Sequence, residues 1–167
     1  MVNLPSEASS GEESKMDDQF LKEDPFRVFG LPLSYNIDEE ALRRRYFQLC
    51  RDHAQDAESL ALTHKSYRQL MDPTQRLEAL SRLRNICLDA DSAPLPPDIV
   101  ALYEEAAKQT TETWRRFQDH LEDLFNQTER QIQEAFDLDD MESLPYLYTH
   151  LKYLQKLRHI TPPDHRE

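Results

Sequence analysis

The stretch Asp24-Pro-Phe-Arg-Val-Phe-Gly-Leu-Pro-Leu-Ser-Tyr-Asn-Ile-Asp-Glu-Glu-Ala-Leu-Arg-Arg-Arg-Tyr-Phe-Gln-Leu-Cys-Arg51 changes character twice. At its start Pro25 suits a first helical turn, and Phe26, Val28 and Phe29 supply apolar anchors before Gly30 and Pro32 break the chain. That predicts a short helix and a turn over 20–33. Asn36 or Asp38 can then cap a helix running to about Asp52. On it Leu42, Tyr46, Leu49 and Phe47 fall on an apolar stripe, and Arg43, Arg44 and Arg51 point largely outward. This helix offers a basic face.

Downstream, Leu60, Ala61, His64, Tyr67 and Leu70 recur at helical spacing, predicting a helix from Ala57 to Met71 that Asp72-Pro73 ends. Another starts at Pro73 and carries Leu77, Leu80, Leu83 and Ile86. Residues 89–97 hold three prolines among small polar residues, the composition of a linker, and the domain boundary is placed there. Beyond it, a helix near Asp98 and a longer one carrying Phe117, Leu121, Leu124, Phe125, Thr128 and Ile132 cover roughly 99–136, the sharpness of the break between them left open. After the acidic turn 137–140, Leu147, Leu151, Leu154 and Leu157 mark a last helix. The expected order is an acidic disordered tail (1–19), a helical hairpin domain (20–88), the linker (89–97), an antiparallel three-helix bundle (98–161) and a short disordered end (162–167). The fold class is all-α.

Composition agrees. Two glycines in 167 residues leave little room for phosphate loops or hairpins. The net charge of −12 is uneven: residues 1–19 carry one base against five acids, 20–90 balance eleven against eleven, and 91–167 hold eight against sixteen. Such a chain repels phosphate backbones and anionic lipid, so neither nucleic acid nor membrane is an expected partner; the Arg43–Arg51 face is the one local exception. Cys50 and Cys87 form no CxxC pair, which points to a reducing compartment and to neither a disulfide framework nor a zinc site. No HExxH, GxSxG or Gly-rich phosphate motif is present, and His150 and His159 lie nine apart. The expectation is a chain that is not an enzyme and needs no cofactor or metal. With no spanning run and no leader pattern, it reads as cytoplasmic, or as a matrix protein if eukaryotic, though no transit peptide is seen.

The quoted stretch closely resembles the opening of the J-domain in the HscB family of iron-sulfur co-chaperones, with its aromatic-aliphatic-Phe-Gly-Leu-Pro turn and Ala-Leu-x-x-x-Tyr/Phe-x-x-Leu-x-Arg helix. Tyr67, Leu70, Pro73, Arg76, Glu78, Leu80 and Leu83 continue the match. Phe117, Phe125, Leu151, Leu154 and the string from Tyr153 to Arg158 resemble the family's C-terminal bundle. The resemblance covers roughly residues 20–160 and implies a J-domain-like helical hairpin domain followed by an antiparallel three-helix bundle. It implies a co-chaperone that delivers an IscU-type iron-sulfur scaffold protein to a DnaK/HscA-type chaperone and modulates its ATPase.

In J-domains the trigger is a His-Pro-Asp tripeptide after the basic helix, where the proline fixes a turn and the aspartate presents a carboxylate to a chaperone arginine. Here Ala54-Gln55-Asp56 stands at that position, with His53 one residue earlier. The aspartate is kept; the histidine and proline are not. The resemblance therefore assigns chaperone binding to Arg43, Arg44, Arg51, His53, Ala54, Gln55 and Asp56, with the alternative that a degenerate J-like module binds a partner without stimulating a chaperone. The arginine run could equally be a solvated face pairing with Glu39 and Glu40. Exposed apolar side chains around Leu95, Ile99, Leu102 and Tyr103 on the first bundle helix are the expected scaffold contacts. His64 is expected as a polar helix edge, and Phe117 and Leu121 as core.

Overall fold

A computed structural model describes residues 24–89 and 95–160. The tails expected at 1–19 and 162–167, and most of the expected linker, lie outside the described residues. Among the described residues there are seven helices and no strand: α1 (Pro25–Val28), α2 (Glu39–Asp52), α3 (Ala57–Met71), α4 (Pro73–Leu83), α5 (Pro97–Lys108), α6 (Thr111–Asp137) and α7 (Leu144–Arg158). The all-α expectation is met. The described residues divide into two compact units, one comprising 24–33 and 37–72, the other 34–36 and the described residues from Pro73 onward.

In the first unit each helix start is capped by an aspartate. Asp24 accepts from the backbone N–H of Phe26 (3.0 Å) and Arg27 (3.1 Å), with Pro25 in the first turn. Of the two caps open for α2, Asp38 is used: it accepts from Ala41 N–H at 2.9 Å. α1 ends where Gly30 turns left-handed (φ 64°) and Leu31 N–H closes on Phe26 O at 2.9 Å, a closure that glycine adopts without a Cβ penalty. α1 and α2 both pack on α3. Phe26, Leu42, Leu49 and Leu70 are buried, and Tyr46 stacks on Tyr67 with ring centroids 4.0 Å apart. The Tyr46 hydroxyl meets His64 Nδ1 at 2.8 Å, so His64 is the satisfied polar edge of a helix pair.

The second unit is built around α7, which packs on α4, α5 and α6 and buries Leu144, Leu147, Leu151, Leu154 and Leu157. Facing side chains include Ile99, Phe117, Leu121, Phe125 and Ile132, all 3% exposed or less. The two helices expected over 99–136 are separated by a clean break at Gln109–Thr110. Thr110 accepts from Thr113 N–H while Thr113 Oγ accepts from Thr110 N–H, a reciprocal cap that starts a new helix.

α4 belongs to this second unit. Glu78 accepts from the Tyr148 hydroxyl at 2.5 Å, the Thr74 hydroxyl donates to Gln155, and Arg84 lies over the Phe136 ring at 5.1 Å. The tripeptide Ser34–Asn36 joins it too. Tyr35 is buried, its hydroxyl donates to Glu129 (3.2 Å), its carbonyl accepts from Arg76 (3.3 Å), and Asn36 N–H donates to Gln133 (2.8 Å). The compact units thus divide at Asp72–Pro73, ahead of the boundary read from the proline-rich composition of 89–97.

Candidate functional site

The loop after α2 is a tight turn closed by its own backbone. His53 N–H reaches Leu49 O (2.9 Å) and Asp56 N–H reaches His53 O (2.9 Å). His53 is half-buried; Ala54, Gln55 and Asp56 are exposed. The Asp56 carboxylate is the N-cap of α3: one oxygen accepts from Glu58 N–H (3.1 Å) and Ser59 N–H (3.3 Å), the other from the Ser59 hydroxyl (2.5 Å). The Ser59 hydroxyl first, then the Ser59 backbone N–H, hold this carboxyl below the usual aspartate range, and the nearby charge of His53 adds to the effect. A carboxylate offers about four lone-pair sites, and three are taken here. Asp56 is thus an exposed anion with one free acceptor position, so a partner's arginine meets it through a single hydrogen bond unless the cap opens.

On α2, Arg43, Arg44, Arg45 and Arg51 are all exposed. Arg44 pairs with Glu40 at 3.1 Å, and Arg45 donates to Gln48 at 3.2 Å. Exposed pairs of this kind contribute only about 0.3–0.5 kcal/mol, so a partner's carboxylate can displace them. Phe47 departs from expectation: it is 58% exposed, not part of the packed stripe. Leu42, Tyr46 and Leu49 fill that stripe at helical spacing, and Phe47 lies one residue, or 100°, around the helix from Tyr46. It shares its face with Arg43 and Arg44, four and three residues before it, and with Arg51, four residues after. The face is an aromatic side chain set among cations.

The residues expected to meet a scaffold are split by the structure. Leu95 is 42% exposed, but Ile99 is fully buried and Leu102 is 9% exposed, so both point into the bundle core and are withdrawn as surface contacts. Tyr103 is half-buried and meets Tyr153 edge-on at 6.4 Å. Val100, with the same exposure as Leu95, is the outward apolar side chain of α5 that periodicity alone assigned to neither face. Phe117 and Leu121 are core, as expected, and so are Trp114 and Tyr148.

No family model matches the chain. It is 29% identical over 165 residues to the Co-chaperone protein HscB homolog of Cupriavidus taiwanensis, an alignment covering 84% of this chain and 93% of that one. The chain is thus similar to an HscB-type co-chaperone over most of its length. Its fold matches that of human co-chaperone HscB (TM-score 0.70, 20% identity, covering 80% of this chain and 78% of that one). It also matches Chaperone HscB from Vibrio cholerae (TM-score 0.65, 20% identity, 81% and 93% covered). The likeness to HscB proteins therefore spans both units, and the Ala54-Gln55-Asp56 turn and exposed Phe47 are features of an otherwise HscB-like chain. Among the described residues no helix is long and apolar enough to cross a membrane, and no group of three metal-ligating side chains converges.

Proposed function

We propose that this HscB-type chain brings an IscU-type iron-sulfur scaffold protein to a DnaK/HscA-type chaperone and stimulates the chaperone's ATPase, in the cytoplasm or an equivalent reducing compartment. The observation that carries this reading is the basic face of α2 running into an exposed aspartate turn, within a chain similar to an HscB homologue over most of its length. Arg43, Arg44 and Arg51 steer an acidic chaperone surface, and Phe47 inserts among them as an apolar anchor, since aromatic and arginine side chains dominate interface energetics. His53, Ala54, Gln55 and Asp56 form the adjoining edge of this contact. Asp56 supplies the carboxylate to a chaperone arginine, through its one free acceptor position or by releasing Ser59. Scaffold binding falls to the second unit, on the outward surface marked by Leu95 just ahead of α5, by Val100 of α5 and by the neighbouring Tyr103.

The test is steady-state ATP hydrolysis by the cognate chaperone, with and without the chain and its scaffold, beside an Ala54→His/Gln55→Pro double variant. Stimulation by the natural chain, strengthened by the double variant, is the expected result. No stimulation by either would overturn the reading.

A further inference from the structure

A cleft of about 210 Å³ opens on the second unit between α5, α6 and α7. Its floor is apolar: Leu102, Leu124, Leu147 and Leu154. Its polar lining is one-sided in chemistry. Asp98 brings a carboxylate whose side chain is 57% exposed, and Gln127 and Gln131 of α6 face it with amide groups. The remaining wall is a ring pair: Tyr146, 55% exposed, lies against His150 with centroids 4.4 Å apart.

His150 Nε2 lies 3.3 Å from Asp98 Oδ2 without hydrogen-bond alignment, so the carboxylate is an electrostatic neighbour and keeps its lone pairs for another donor. Burial pushes the His150 imidazole below its usual range, with Asp98 opposing, so the ring adds little positive charge to the cleft. Residues 91–167 carry twice as many acids as bases, which makes the surroundings attractive to a cation.

We infer that this cleft seats one arginine side chain of a protein partner, with the guanidinium paired to Asp98 and stacked on Tyr146. A guanidinium is planar and weakly hydrated, matches a carboxylate with two parallel N–H groups and lies flat on an aromatic face, whereas an ammonium is a compact, strongly hydrated point charge. The volume fits one side chain and is below the roughly 300–1,000 Å³ of small-molecule sites. A single carboxylate beside an imidazole is too few ligands for a metal ion. The inference is independent of the chaperone-docking face and stands or falls separately.

The test is NMR titration of the full chain with N-acetyl-L-arginine methylamide, following the side-chain signals of Tyr146 and His150, beside the lysine and citrulline counterparts and free arginine. Saturable shifts with a dissociation constant on the order of millimolar are expected for the blocked arginine. Lysine should bind at least threefold more weakly, and citrulline not at all. Asp98→Asn should weaken arginine binding about tenfold, and Tyr146→Leu should erase the preference over lysine; both side chains are exposed, and an unchanged Tm shows that the fold is kept. Equal shifts from citrulline or lysine, no saturable shift, or an Asp98→Asn variant that binds as well would each overturn the inference. Free arginine binding tenfold more tightly than the blocked form would make this an amino-acid site and overturn it as well.

Discussion

Asp56 serves two claims on the same oxygens, a helix cap and a partner's arginine. Ser59→Ala removes the largest cause of its depressed ionisation, so its carboxyl should titrate closer to the ordinary aspartate value in an NMR pH series. Because the depressed value stabilises the fold at pH above the ordinary aspartate range, that contribution is lost as pH falls through the folded value, and the variant should lose less there. ATPase stimulation should rise in the same variant; a fall would mean that the cap itself is the recognised shape. Phe47→Ala should weaken chaperone binding about tenfold with Tm unchanged, and a Tm loss of several degrees would return Phe47 to the core. His150 carries the opposite pH sign to a paired histidine. Its depressed ionisation, set by burial and opposed by Asp98, makes the fold less stable as pH drops below the usual histidine range of about 6.5. Replacing it with Gln should flatten that acid-side decline in thermal melts between pH 5 and 7, and an unchanged slope would assign the decline to other groups. Periodicity could not place Phe47, one residue or 100° around the helix from Tyr46, a step that decides between core and solvent. Ile99 and Leu102, placed on a surface by the family resemblance, are with Ala106 the buried stripe of α5.

At the scale of elements, most helices are legible because strong local signals end them: α3 runs from Ala57 to Met71 and α4 starts at Pro73, as the Asp72-Pro73 pair dictates. Two helices were legible over 99–136, but not the place where they divide, because its cap is a threonine pair, a weak signal beside the apolar periodicity on either side. Thr110→Val should therefore cost about 0.5–2 kcal/mol in denaturant melts. Two helix ends are closed without glycine. Asn85 ends α4 at φ 56° with Ile86 N–H on Ser81 O (2.8 Å), and Asp139 ends α6 at φ 57° with Asp140 N–H on Ala135 O (2.8 Å). Asp139→Gly should be neutral or stabilising and Asp139→Ala should cost about 1 kcal/mol, the Cβ penalty of the left-handed region; equal stabilities would show that the turn has rearranged.

At the scale of the whole molecule, composition marked 89–97 as the boundary, yet side chains distant in sequence decide which helices pack together. Thr74, Arg76, Glu78 and Arg84 find partners at Gln155, Tyr35, Tyr148 and Phe136, pairings that no local pattern encodes. A fragment of residues 20–88 keeps α4 without α7, leaving Leu77 and Leu80, both fully buried in the intact chain, without the core they occupy. It should melt far less cooperatively by circular dichroism than the full chain, and a sharp two-state transition at a similar Tm would show that α4 does not need the bundle. The tripeptide Ser34–Asn36 carries the last consequence. Since it belongs to the second unit while its neighbours on both sides belong to the first, the polypeptide passes between the units three times. No single cut therefore releases either one whole. Gene fusion or recombination, which moves contiguous stretches of coding sequence, cannot trade the two units as cassettes, so they are inherited as one piece.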